Sequence, residues 1–342
     1  MIGIGVIGYG YWGPNLVRNF SEAAGSRVVA VSDLTRERLD RVSSRYPNVL
    51  TTTEASELID NPAVDAVAIA TPVSTHFDLS MRALEAGKHV WVEKPLAATS
   101  DEAQRLRDEA AARGLVLMVD HTFVYTGAVR KIADLVRTGQ LGSLYYYDSV
   151  RVNLGLFQYD VDVMWDLAVH DLSIMDYVLD VRPRAVSAIG SAHVPGRTAN
   201  LAYLTCLFDD SLIAHFHVNW LAPVKVRRTL IGGDRQMIVY DDLEPSEKVR
   251  VYDKGITVDP GPEGRYEMLV SYRTGDMWAP QLETTEALTV AARDFIGSIE
   301  TGGTPVTNSA VGLRVVRILE AATRSMKNRG ELIELDLAKV GA

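Results

Sequence analysis

The sequence predicts an α/β protein in two parts: an N-terminal doubly wound parallel sheet, and a C-terminal α+β domain built on a large, open, mostly antiparallel sheet. Three observations carry this. Short apolar runs alternate with helical periodicities from Ile2 to Val119, the rhythm of parallel strands joined by crossover helices. A glycine-rich turn, Gly8-Tyr9-Gly10-Tyr11-Trp12-Gly13, follows the first run directly. After Gly139 the apolar runs mostly succeed one another with no helix between them. A length of 342 residues exceeds one ordinary core, and the change of pattern places the boundary between domains 1–122 and 123–342.

The first run, Ile2 to Ile7, reads as a strand, and Asn15, Leu16, Val17 and Phe20 begin a helix beyond the glycines. Pro14 fits the first helical turn, where a missing N–H is no loss. Gly8 suits the tight turn, Gly10 lets backbone approach a pyrophosphate, and Gly13 lets the helix pack close to the strand. A second strand, Val28 to Ser32, ends at Asp33, twenty residues after Gly13, as a dinucleotide fingerprint requires. Asp33 would accept bonds from the ribose hydroxyls and repel a 2′-phosphate, so NAD is the expected cofactor. Arg36 and Arg38 keep NADP possible.

The alternation continues with a helix over 34–44, a short strand over 48–51 and a buried strand over 63–70 closed by Thr71-Pro72. A helix over 76–86 stops at Gly87, a strand spans 88–92, a helix over 100–113 stops at Gly114, and a last strand spans 115–119. The strand over 88–92 delivers Glu93-Lys94-Pro95 to the sheet edge that carries the glycine turn. Lys94 is therefore a cation placed beside the cofactor, and Thr71, Pro72 and Glu93 belong to the same edge. His76 opens a helix there, as a ligand contact or as a satisfied surface histidine.

In the second part a helix over 129–138 precedes strands over 143–154, 185–193, 199–208, 211–220, 226–231 and 236–240, and helices over 285–298 and 309–328 complete the α+β domain. One helix, over 163–179, interrupts the strands and carries Asp166 and His170, four residues apart and so neighbours on one face. A carboxylate beside an imidazole fixes its tautomer and raises its basicity, which suits a general base for an alcohol proton; a surface pair decorating the first turn is the plainer alternative. Arg151 and Asn153 share a strand face and could meet a substrate phosphate, with Arg227, Arg228 and Arg265 as weaker candidates. His215 and His217 alternate on a strand without a third ligand nearby, so a polar sheet face is expected rather than a metal site.

The formal charge of −9 argues against nucleic acid or an anionic membrane as partner. Cys206 sits in an apolar run, which excludes a disulfide framework and suggests a buried, inert thiol. With no signal-like N-terminus and no membrane-length apolar stretch, a cytoplasmic location is expected.

The glycine turn Gly8 to Gly13, Glu93-Lys94-Pro95 and Asp166-x-x-x-His170, in this order and at these separations, resemble the Gfo/Idh/MocA family of sugar and inositol oxidoreductases over nearly the whole chain. The resemblance implies a Rossmann domain whose Gly8, Gly10, Tyr11, Trp12, Gly13, Asp33, Thr71, Pro72, His76, Glu93 and Lys94 serve the cofactor. It implies that Lys94, Asp166 and His170 meet at the nicotinamide. His170 would act as acid/base on a sugar hydroxyl, Asp166 would orient the histidine or substrate, and Lys94 would donate to the reacting oxygen. It further implies a constrained, cis Lys94-Pro95 bond and a homodimer or homotetramer supported by the open sheet. The stretch from Arg151 to Phe157 and the Tyr-Trp-Gly-Pro of the glycine turn are similar to branches acting on nucleotide-linked sugars, including oxidation at C3 of UDP-N-acetylglucosamine-type substrates. The rival expectations are a keto-sugar reductase of deoxy- or aminosugar biosynthesis, an inositol-type dehydrogenase, and a non-catalytic cofactor-bound regulator.

Overall fold

The computed structural model describes residues 1–155, 161–195, 198–253, 255–258 and 270–337; Phe157 and Arg265 lie outside them. The chain divides into two compact units: Met1–Tyr125 with Thr285–Glu320, and Thr126–Thr284 with the stretch that begins at Ala321.

The first unit is built on six parallel strands, β1 (Ile2–Ile7), β2 (Ser26–Ser32), β3 (Leu50–Thr52), β4 (Ala66–Ile69), β5 (His89–Glu93) and β6 (Leu117–Asp120). Their order is β3-β2-β1-β4-β5-β6, so the connections change direction between β1 and β4 and open a crevice at the carboxyl ends of those strands. A sheet covered on both faces needs apolar residues without alternation, and β1, β4 and β6 are buried at every position. The crossovers are α1 (Gly13–Glu22), α2 (Arg36–Arg45), α3 (Ala55–Ile59), α4 (His76–Glu85) and α5 (Ser100–Arg113). The bounds of α5 are those predicted, because Thr99 caps its start by accepting from the Glu102 N–H and Gly114 ends it at φ 64°. The single turn of α3 has too few residues to show a period, and the sequence gives no sign of it.

The second unit starts with α6 (Gly127–Arg137). It continues with β7 (Leu144–Leu154), a π-helical turn over Met164–Ala168, α7 (Val169–Val178), β8 (Ala185–Ser191), β9 (Leu201–Leu207), β10 (Ile213–Asn219), β11 (Leu221–Gly233), β12 (Met237–Asp241) and β13 (Val249–Tyr252). A separate two-stranded sheet joins β14 (Gly255–Val258) to β15 (Val270–Arg273). With β16 (Met277–Trp278) and β17 (Ile333–Glu334) the main sheet has nine strands, ordered β16-β13-β12-β11-β7-β10-β9-β8-β17. All neighbours pair antiparallel except β7 with β10. Alternation is clean along β10: Ala214, Phe216 and Val218 are buried while His215, His217 and Asn219 face partly outward. Cys206 is fully buried, and burial pushes its thiol up, out of reach of ionisation.

The chain then returns to the first unit through α8 (Ala287–Thr301) and the first part of α9 (Ser309–Lys327). The sequence reading gave both late helices to the C-terminal domain. The difference has a physical cause: Phe295 of α8 completes an edge-to-face cluster with Phe20 of α1 and Trp91 of β5, at centroid distances of 6.1 and 5.6 Å. Arg18 forks onto Glu286 at 2.6 and 3.0 Å, and Thr289 donates to the Asn19 side chain at 2.8 Å. Among the described residues no helix is long and apolar enough to cross a membrane.

Candidate active site

The glycine turn joins β1 to α1. Gly8 stands at φ 95°, and a Cβ there would lie 2.4 Å from the Ala70 carbonyl oxygen at the end of β4. A Cβ on Gly13 would meet the Gly8 carbonyl oxygen at 2.1 Å, so α1 approaches the strand this closely only without a side chain. A Cβ on Gly10 would meet Arg38 Nη1 at 3.6 Å, an ordinary contact, so nothing crowds this position. The first turn of α1 contains Pro14 and no acidic residue, which leaves the positive end of its dipole open to an anion. Gly8, Gly10, Asp33, Thr71 and Pro72 all line one cleft of about 770 Å³, a volume ordinary for a cofactor site. Tyr11 borders the same cleft and is exposed, with its ring stacked 6.5 Å from that of Trp12.

At the end of β2, Asp33 is buried and accepts from the backbone N–H of Tyr9 at 2.7 Å and of Thr35 at 2.9 Å, with Arg38 Nη1 3.3 Å away. Burial works to raise its carboxyl, but the two N–H bonds and Arg38 outweigh it and hold the group below the usual range. Asp33 therefore presents an ionised carboxylate to the cleft at neutral pH.

Further along the same sheet, Lys94 follows β5 and its bond to Pro95 is cis. Glu93 and Asp120 are register partners at the ends of β5 and β6. Burial, and after it the neighbouring Asp120 carboxyl, pushes Glu93 well above the usual carboxylate range. Asp120 also accepts from the Trp12 indole at 2.9 Å and from the Thr122 hydroxyl, which fastens the glycine turn to β6. His121 is fully buried and pushed down to about 3 by burial and by the Lys94 charge, so it stays neutral. His76 is buried too, at 1 % exposure. Its Nδ1 lies 2.8 Å from the Pro95 carbonyl oxygen and its Nε2 2.9 Å from that of Thr71. His76, expected as a ligand contact or a satisfied surface histidine, is buried and links two loops.

In the second unit the Asp166 segment departs from the straight helix expected. The Val169 N–H reaches back five residues to the Met164 carbonyl, and the Asp162 carboxylate caps the Met164 and Trp165 N–H groups. The extra residue in the turn means that α-helical spacing does not hold between Asp166 and His170. Asp166 accepts from the Trp220 indole at 3.1 Å, and Trp220 is held in turn by Gly155, where a Cβ would strike the indole at 2.4 Å. His170 is half-buried in the first turn of α7. Next to it Asp171 receives a two-pronged bond from Arg151, at 2.9 and 2.7 Å, with both side chains buried.

That ion pair corrects the expectation for Arg151: the guanidinium offered to a substrate phosphate is spent on anchoring α7 to β7. Asn153 stays half-exposed two residues on. Arg227 pairs with Asp242 and Arg228 with Asp241. His217 stacks on Tyr203 at 4.6 Å, and His215 Nδ1 lies 3.1 Å from the Thr205 hydroxyl. The structure thus gathers Gly8, Gly10, Tyr11, Asp33, Thr71 and Pro72 on one cleft, ties Trp12, His76, Glu93 and Lys94 into the neighbouring strand ends, and carries Asp166 in the π-helical turn and His170 at the start of α7. Sequence reasoning missed Asp120, His121, Asp171 and Trp220. Asp120-His121 closes a strand at the same edge as Asp33 and Glu93, which is a usable signal; Trp220 and Asp171 gain their contacts from partners distant in sequence.

Comparison with known proteins agrees with this architecture. Residues 2–121 match the family model described as an oxidoreductase family with an NAD-binding Rossmann fold, and residues 129–239 match the GFO/IDH/MocA C-terminal domain. A UDP-N-acetylglucosamine 3-dehydrogenase of Acidithiobacillus ferrooxidans is 28% identical over 320 residues, covering 91% of this chain and 93% of its own. A scyllo-inositol 2-dehydrogenase (NAD(+)) of Bacillus subtilis is 27% identical over 348 residues, covering 99% and 96%. The solved structure of a UDP-N-acetylglucosamine 3-dehydrogenase from Acidithiobacillus ferrooxidans shares the fold at a TM-score of 0.78 and 25% identity, covering 96% of this chain and 99% of that one. With both of its domains matched by family models, the chain belongs to the Gfo/Idh/MocA family of oxidoreductases and carries that family's NAD-binding Rossmann domain.

Proposed function

We propose that the protein is an NAD-dependent dehydrogenase acting on a secondary hydroxyl of a sugar or a nucleotide-linked sugar. The observation that carries this reading is the edge of the first sheet. A dinucleotide cleft with an ionised Asp33 shares its sheet edge with Lys94, which follows β5 beside a buried Glu93 whose carboxyl is pushed well above its usual range and a His121 held neutral. In this reading His170 takes the hydroxyl proton, Asp166 orients the histidine or the substrate, and Lys94 donates to the oxygen as it becomes a carbonyl. NAD, when bound, supplies the hydride acceptor. The relatives are named for a nucleotide-linked amino sugar and for an inositol, which supports the class of substrate. With Arg151 committed to Asp171, a nucleotide diphosphate would need other cations.

The test is NADH formation from NAD over a panel of UDP-N-acetylhexosamines, hexoses and inositols, with NADH consumption by keto-sugars measured in parallel. Turnover on at least one substrate is expected. Lys94→Ala and His170→Ala should each lower kcat/KM by roughly 10²–10⁴-fold while NAD still binds. Near wild-type turnover in both variants would remove the assignment.

A further inference from the structure

We propose that His76 is a positioning residue that clamps the two cofactor-side loops of the first sheet in its doubly protonated form. The parallel neighbours β4 and β5 end at Ile69 and Glu93, and each is followed by a short loop containing a proline. The His76 ring lies between those loops. Nδ1 is 2.8 Å from the Pro95 carbonyl oxygen and Nε2 is 2.9 Å from the Thr71 carbonyl oxygen.

Both carbonyls only accept. A neutral imidazole carries one N–H, so it would hold a second lone pair against an oxygen at hydrogen-bonding distance. The imidazolium satisfies both contacts at once, and they offset part of the cost of burying its charge. Loss of the proton leaves one loop held and the other repelled.

The loops matter for what they carry. Thr71, Pro72 and Thr75 line the cofactor cleft, and their turn is closed by the Thr75 hydroxyl donating to the Pro72 carbonyl at 2.8 Å. The other loop carries Lys94 one residue before Pro95. His76 therefore fixes the cleft wall and the lysine relative to one another within the first unit. The charged groups on the surrounding elements include Asp78 and Arg82 on its own helix, Arg105 of α5, which lies 4.6 Å from the neighbouring Phe77 ring, Glu93 and Lys94 at the end of β5, and Asp120 and His121 at the end of β6. Of these, burial pushes the Glu93 carboxyl up, and burial with the Lys94 charge holds His121 neutral.

The consequence for turnover rests on the dehydrogenase reading, but the protonation is a property of the protein without ligand. Nitrogen-15 NMR of the full chain labelled in its seven histidines reads it directly. At about pH 7.5, a unit above the usual histidine value, one ring should show both nitrogens protonated, and that signal should vanish in His76→Asn. NAD affinity, followed by tryptophan fluorescence, should fall roughly tenfold or more in His76→Asn, the loss expected for a hydrogen bond to a charged group. In the wild type it should weaken further as pH rises through the His76 titration, and in the variant it should stay flat. His76→Gln, which can bridge neither pair fully, should behave like the Asn variant and guards against a folding failure of the first. A singly protonated His76 ring at neutral pH, or the same pH profile in wild type and variants, overturns the clamp. Failure of every sugar in the panel would sink the dehydrogenase reading and leave both readouts intact.

Discussion

The carboxylate of Asp33 accepts N–H bonds from Tyr9 and Thr35 and faces Arg38 at 3.3 Å, so its charge is set before any cofactor arrives. Its folded value lies below the unfolded one. The stabilisation it contributes is therefore present above about pH 4, the unfolded Asp value, and is lost as pH falls through the depressed folded value. Asp33→Asn should flatten that acid limb of stability. It should also shift the ratio of kcat/KM for NADP over NAD upward by roughly tenfold or more, because a like charge facing the 2′-phosphate is removed while Arg38 remains. An unchanged ratio would show that Asp33 does not read the ribose. At this scale the sequence was readable for position, where one strand end fixes where a residue stands, as for Asp33 after β2 and Lys94 after β5. It misled for Arg151, because burial against Asp171 twenty positions later leaves no trace in the local pattern.

The segment from Met164 to Val178 illustrates the same limit one scale up. Its helix was legible from apolar spacing, yet the π-helical turn was not, since one extra residue in a turn barely alters a period read over so short a stretch. What holds the segment is the buried fork between Arg151 of β7 and Asp171 of α7. Asp171→Asn should strand the Arg151 charge without its nearest carboxylate and cost about 3–5 kcal/mol, seen as a drop in Tm and in the denaturant midpoint. Replacing both partners, as Arg151→Met with Asp171→Leu, should recover much of that loss, because the burden lies in the unpaired charge. Equal destabilisation by the single and the double change would mean that the fork's geometry, rather than its charge, holds α7. The glycine turn stands at the opposite extreme of legibility. Gly8 and Gly13 sit against the Ala70 and Gly8 carbonyls at distances that no Cβ tolerates, so sequence and geometry there are two statements of one constraint.

For the molecule as a whole, alternation along the strands revealed the open sheet but not its outer neighbours, and the packing of Phe295 on Phe20 and Trp91 revealed a return of the chain that no local pattern announces. The outer face of the nine-stranded sheet carries Ile189 of β8, Tyr203 of β9 and Ile213 of β10 at 63, 43 and 47 % exposure. Pairing places Ile189 opposite Tyr203 and Tyr203 opposite His217, whose ring it stacks on at 4.6 Å, so these three side chains form one continuous patch, and Ile213 lies on the same face opposite Leu207. A face of exposed Ile and Tyr on paired strands costs free energy in water and is relieved by burial against another surface. The expected occupant is a second copy of the chain, since a two-fold contact brings the same apolar face to itself. Light scattering at micromolar concentration should then report a dimer or tetramer. Tyr203→Glu combined with Ile189→Glu should yield monomers, because like charges would face each other across the axis. The cleft of the first unit should keep its NAD affinity in those monomers, as all of its lining residues lie between Ile7 and Arg82. A wild type that is monomeric throughout that range would refute self-association.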